Sequence, residues 1–245
     1  MIDAKIFIGS AIDFKGIFFI YPPKVKDIIN NSSFPIFSSL FMTSQEDIED
    51  LMAKNNNTKG SIPTPLEYLL SLCYNSPQVA EVVKKGFYFY TKEPIKFIYE
   101  EKAILVGEDQ LKRTKNVNEL KLLNETNYFD FQNKIREVNG MAAIEPPDPN
   151  EHPKIKYMKA KARLRDKVKA KKKGMSLTAM VASICCMNFG LNPLNIGEIT
   201  YASVPVLIRY YQEKDKYETD VRSLQAGADS KKIKPKYWVR DFDKD

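Results

Sequence analysis

The stretch KIKYMKAKARLRDKVKAKKK, residues 154–173, holds eleven Lys or Arg and one acid, Asp166, a formal charge of +10 in twenty residues. Lys, Arg, Ala, Met and Leu dominate it and nothing breaks a helix before Gly174, so composition predicts a helix. Its apolar stripe is narrow: Tyr157, Ala160, Leu164 and Val168 fall at i, i+3, i+7 and i+11, with cations over most of the remaining circumference. Such a helix buries little and is weakly held on its own, which leaves the core to the rest of the chain. The last turn, KAKKK, sets cations at the end of the helix dipole that favours them.

The rest of the 245-residue chain has 27 basic and 30 acidic residues, a formal −3, although the total is +7. The positive charge is therefore local. That is the pattern of a solvated helix or of an arm for an acidic protein partner, more than of a basic face on a nucleic-acid-binding domain. The residues expected to meet a partner are Tyr157, Lys161, Arg163, Leu164, Arg165, Val168, Lys169 and Lys172.

With 43% hydrophobic residues, fourteen Phe and thirteen Tyr, the chain has the means to pack one large domain or two smaller ones. No run of eighteen apolar residues occurs, and the opening MIDAKIFIGSAIDFKGIFFIYPP lacks the basic, apolar and cleavage regions of a signal peptide. The expectation is a soluble protein of the cytoplasm with no membrane partner. Cys73, Cys185 and Cys186 are an odd number with an adjacent pair, and read as reduced thiols packed as small hydrophobes.

Residues able to carry catalysis are sparse. The single histidine, His152, stands in PPDPNEHP among four prolines, where backbone is extended and exposed. One His and three scattered Cys do not reproduce zinc-ligand spacing, and no nucleophile has a histidine on a rigid element beside it. Neither phosphate-cradling glycine loop occurs. Acidic clusters such as QEDIED and YEEK read as first-turn helix acids or loop charges. An enzyme is not expected, nor is a cofactor, a metal or a catalytic residue.

The chain reads as α+β, a mixed β-hairpin and helix N-terminal region followed by a mainly helical C-terminal region. The expected divisions are 1–115, a connecting helix and proline-rich linker over 116–153, and a helical region over 154–245. AKIFIG and FKGIFFIYPP read as paired strands, PPKVKDIINN as a short helix, and TSQEDIEDLMAK as a helix capped by Thr43 or Ser44. In PTPLEYLLSLCYN, Thr64 caps, Pro65 opens the helix, and Leu66, Leu69, Leu70 and Cys73 share one face. A helix over 77–85 precedes GFYFYTKEPIKFIYEEKAILVGE, read as two or three strands. Phe131, Ile135 and Val138 share the face of a helix that stops at Asn139-Gly140. Ser176 caps an apolar helix, and a long helix follows from about Ser203 to Leu224, with Val206, Tyr210, Tyr217, Val221 and Leu224 expected inward. In the tail, KPKYWVRDF mixes cations and aromatics in a way that could stack bases, but Trp238 packing the tail onto the domain is the favoured reading.

Two stretches carry a family likeness. IGSAIDFKGIFFIYPPKVKDIIN resembles the opening of phage tail proteins, a short hairpin leading into helices. LNIGEITYASVPVLIRYYQEKDKYETDV resembles the part of tail assembly chaperones in which a polar turn introduces a long amphipathic helix. The chain is thereby similar, over roughly its first 30 residues and residues 195–225, to the tail assembly chaperones or baseplate-hub assembly proteins of tailed bacteriophages. The resemblance implies a non-enzymatic protein that coats the tape-measure chain and recruits tail-tube subunits. Its partners would be phage tail, tape-measure or baseplate proteins. Many such chaperones are smaller and more helical, which leaves open a structural baseplate or tail subunit retained in the virion. The alternative from another class is a nucleic-acid-binding accessory protein using the basic helix. Self-association is left open.

Overall fold

The computed structural model describes the chain except residues 1–2, 55–61, 108–121, 147–151, 153–154, 156–157, 160, 163–164, 166–174, 188–189 and 240–245. The fold is α+β, small antiparallel sheets and many helices. The first element corrects the sequence reading. AKIFIG is not a strand: Ala4–Phe7 form a single helical turn, α1, because the Asp3 carboxylate accepts from the Lys5 N–H at 2.8 Å and caps it. The hairpin comes after it. Strands β1 (Ile12–Phe14) and β2 (Phe18–Ile20) pair Ile12 with Ile20 and Phe14 with Phe18. Lys15 and Gly16, both at positive φ, make the turn, closed by the Ile17 N–H donating to the Phe14 carbonyl at 2.9 Å.

Four helices follow: α2 (Val25–Ile29), α3 (Phe34–Met42), α4 (Gln45–Lys54) and α5 (Pro65–Asn75). In α4 Ser44 is the cap, accepting from the Asp47 N–H at 3.2 Å while Asp47 accepts from the Ser44 N–H at 3.1 Å. In α5 Leu66, Leu69, Leu70 and Cys73 are all buried, as their helical spacing requires. Helix α6 then runs from Pro77 to Thr91 and takes in GFYFY, which alternation reads as a strand. The helical period wins because Val83, Gly86, Phe87, Tyr90 and Thr91 lie on one face and all are buried. It stops where Lys92 enters the left-handed region at φ 61°.

Strands β3 (Ile95–Ile98), β4 (Ala103–Val106) and β5 (Leu122–Leu123) form an antiparallel sheet in that order, with β4 central and buried at every position. Helix α7 (Glu125–Val138) ends at Asn139, with Gly140 at φ +71°. Rather than standing apart as a connector, α7 supplies Tyr128, Phe131, Ile135 and Val138 to the main core. Phe131 is central there, stacked on Phe87 at 5.2 Å and edge-on to Phe41, Phe14 and Phe18 at about 6 Å. The buried Gln132 side chain donates to the carbonyls of Phe41 and Thr43, satisfying the end of α3.

The C-terminal part contains α8 (Leu177–Cys186), a 3-10 turn (Ile196–Glu198) and the 23-residue α9 (Ser203–Gln225). A second, smaller core joins it to α2 through Val25, Ile184, Ile196 and Val204. Backbone bonds cross the same seam: Val25 N–H donates to the Ile199 carbonyl at 3.0 Å, and Tyr201 N–H to the Pro23 carbonyl at 2.8 Å.

Candidate interaction surface

Of the eight residues expected to meet a partner, the structure describes two. Lys161 and Arg165 are helical and exposed, one turn apart on one face. Tyr157, Arg163, Leu164, Val168, Lys169 and Lys172, and with Ala160 the whole of the expected apolar stripe, lie outside the described residues. Sequence reasoning missed the neighbours on that face. Met158 and Ala162 fall at i−3 and i+1 of Lys161, both helical and exposed, with Met158 61% accessible. Ile155, half accessible, continues this apolar line at i, i+3 and i+7 with Met158 and Ala162. The signal was present in the spacing of Ile155, Met158 and Ala162. The described face therefore combines apolar surface with two cations.

The segment that follows is held at one end. Ser176 caps α8, its hydroxyl accepting from the Ala179 N–H at 3.2 Å. Only Ile184 of α8 is fully buried. In α9 just Ser203 and Val204 are buried, and the five positions expected inward, Val206, Tyr210, Tyr217, Val221 and Leu224, are half-buried instead. The small second core explains this, since it ends near Leu207 and Ile208 while about 25 Å of helix continues past them. The tail does fold back on α9. Tyr237 meets Tyr217 edge-on at 5.6 Å, and the Lys214 ammonium lies 5.9 Å from the centre of the half-buried Trp238 ring.

Glu198 anchors the seam between the 3-10 turn and α2. It accepts from Lys26 at 2.5 Å and from Lys24 at 2.9 Å, and these two ammonium groups hold its carboxyl down to about 2. Burial pushes the Cys73 thiol up to about 12, the opposite of an activated nucleophile. Cys185 is half-buried and Cys186 exposed. Among the described residues no group of three His, Cys, Asp or Glu could hold a metal ion, and no helix is long and apolar enough to cross a membrane.

Residues 169–243 match the family model described as the YomV second domain, from a phage-derived protein family. The match begins inside the basic segment and takes in α8, α9 and the tail, and it points to a phage protein without singling out a tail or baseplate role. No curated protein and no solved structure matches the chain.

Proposed function

We propose that this chain is a non-enzymatic phage assembly protein that binds another protein through residues 157–173, with tail, tape-measure or baseplate proteins as its partners. The observation that carries the reading is the exposed face of Met158, Lys161, Ala162 and Arg165. Apolar contact beside paired cations suits an acidic amphipathic helix: the charges steer it and exclude basic competitors, and the apolar groups hold it at moderate salt. The phage-derived family match supports the setting, and the resemblance to tail assembly chaperones supports the choice of partner. In this reading the protein acts in the host cytoplasm during assembly, and remains in the virion if it is a structural subunit.

The test is co-purification of the tagged full chain from producing cells, with and without nuclease, compared with the Lys161→Glu/Arg165→Glu double variant. Tail or baseplate proteins should survive nuclease and be lost from the double variant, whose thermal unfolding should be unchanged because both positions are exposed. Partners kept by the double variant would remove the docking role. Partners lost with nuclease would mean that they are held through nucleic acid and not by direct contact with the segment.

A further inference from the structure

The cleft between α9 and the C-terminal tail has not entered the assembly reading, and its lining is unusual in charge. Lys216 from α9 and Lys231, Lys232, Lys234 and Lys236 from the tail line a cavity of about 350 Å³, within the size range of small-ligand sites. Among the described residues none of these five ammonium groups makes an ion pair, whereas Lys214, on the same helix, pairs with Glu218. Glu213 and Asp220 also line the cleft, so that among the described residues of its lining there is an excess of three cations. Unpaired like charges brought into one concavity repel each other, and a polyanion relieves that repulsion.

The aromatic groups at the cleft narrow the class of polyanion. Tyr217 is part of the lining, Tyr237 stands against it at 5.6 Å with 60% of its surface accessible, and Trp238 lies 6.3 Å from Tyr237. A flat, exposed ring beside a lysine-lined groove is the combination that binds single strands, phosphates at the cations and bases stacked on the ring. A duplex keeps its bases stacked on each other and offers the ring no face. An acidic peptide would use the lysines and gain little from Tyr237.

We infer that the cleft between α9 and the tail, with Lys216, Lys231, Lys232, Lys234 and Lys236 for phosphate and Tyr237 for a base, is a binding site for single-stranded nucleic acid. It is separate from the basic segment and stands whether or not the assembly reading does.

The experiment uses the full chain and a fluorescent 15-nucleotide oligothymidylate containing one 5-iodouracil, read by anisotropy across a salt series and by photo-cross-linking with peptide mapping. Cross-links should fall on Tyr237, Trp238 or Tyr217. The Tyr237→Ala variant should weaken binding about tenfold. The Lys232→Glu/Lys234→Glu variant should weaken it further and flatten the salt dependence by roughly 0.7 in log–log slope for each phosphate that is no longer neutralised. Cross-links confined to residues 154–173, or affinity unchanged in both tail variants while Lys161→Glu/Arg165→Glu abolishes it, would overturn the site. A polyglutamate chain that competes equally well, with Tyr237→Ala silent, would overturn the nucleic-acid assignment. The unmodified chain supplies the cross-linking result, so the outcome does not depend on a variant folding.

Discussion

Gly86 lies where α6 crosses α3, and a Cβ there would come within 2.7 Å of Phe37 Cβ and 2.9 Å of Phe41 Cε2. Both rings are fully buried, so neither has room to retreat. Helix propensity alone favours alanine over glycine by about 1 kcal/mol, whereas overpacking costs about 1–3 kcal/mol, and three approaches under 3 Å put this site at the upper end. Gly86→Ala should therefore lose about 2 kcal/mol in urea unfolding; a gain would mean that α3 can shift. Glu198 makes a prediction about pH. Its folded carboxyl is held at about 2, below its unfolded value of 4.5, so the stabilisation is present above that value and lost as pH falls toward 2. The difference in melting temperature between the native chain and Glu198→Gln should be steady above about pH 5 and shrink on acidification. Added salt should reduce it too, because the cluster is half exposed.

At the scale of elements, helix starts were the legible part. Thr64 accepts from the Glu67 N–H at 3.2 Å and Glu67 returns the bond to Thr64, and the pair could be read from Thr-Pro-Leu-Glu. Thr64→Ala should cost about 1 kcal/mol and Thr64→Ser much less, measured by chemical unfolding; equal losses would assign the effect to packing of the methyl group. What misled was short-range alternation of aromatics. Phe87 and Phe89 sit two apart, as on a strand, but Phe87 is buried with Val83 and Tyr90 while Phe89 is half-buried. Helix α3, FPIFSSLFM, has a period in Phe34, Phe37 and Phe41, at i, i+3 and i+7, but its end is completed by Gln132, which is about 90 residues away in sequence. Its carbonyls are satisfied by tertiary structure that no local window contains. At the interaction surface the charges of Lys161 and Arg165 were legible, the apolar line of Ile155, Met158 and Ala162 was overlooked, and the closure of the tail on Tyr217 needed two residues twenty positions apart to meet.

The two cores differ in how much they hold together. The main core gathers α1, α3, α5, α6 and α7, the hairpin and the sheet around Phe131, whereas the second has four fully or nearly buried residues and links α2 to α8, the 3-10 turn and the start of α9. So small an apolar cluster predicts that the C-terminal part opens at a lower free energy than the rest. Val204 is the residue on which to test this, because it is fully buried and belongs to the second core. Val204→Asp places an unpaired charge in that core, and the exposure of α8 and α9 is the cheaper way to hydrate it. Hydrogen exchange of this variant should show α8 and α9 unprotected while α5, α6 and α7 keep their protection. Loss of protection throughout would mean that the bonds between residues 23–25 and 199–201 bind both parts into one cooperative unit. Separate opening would instead give the segment between the cores freedom to turn its cationic face toward a partner without disturbing the packing around Phe131.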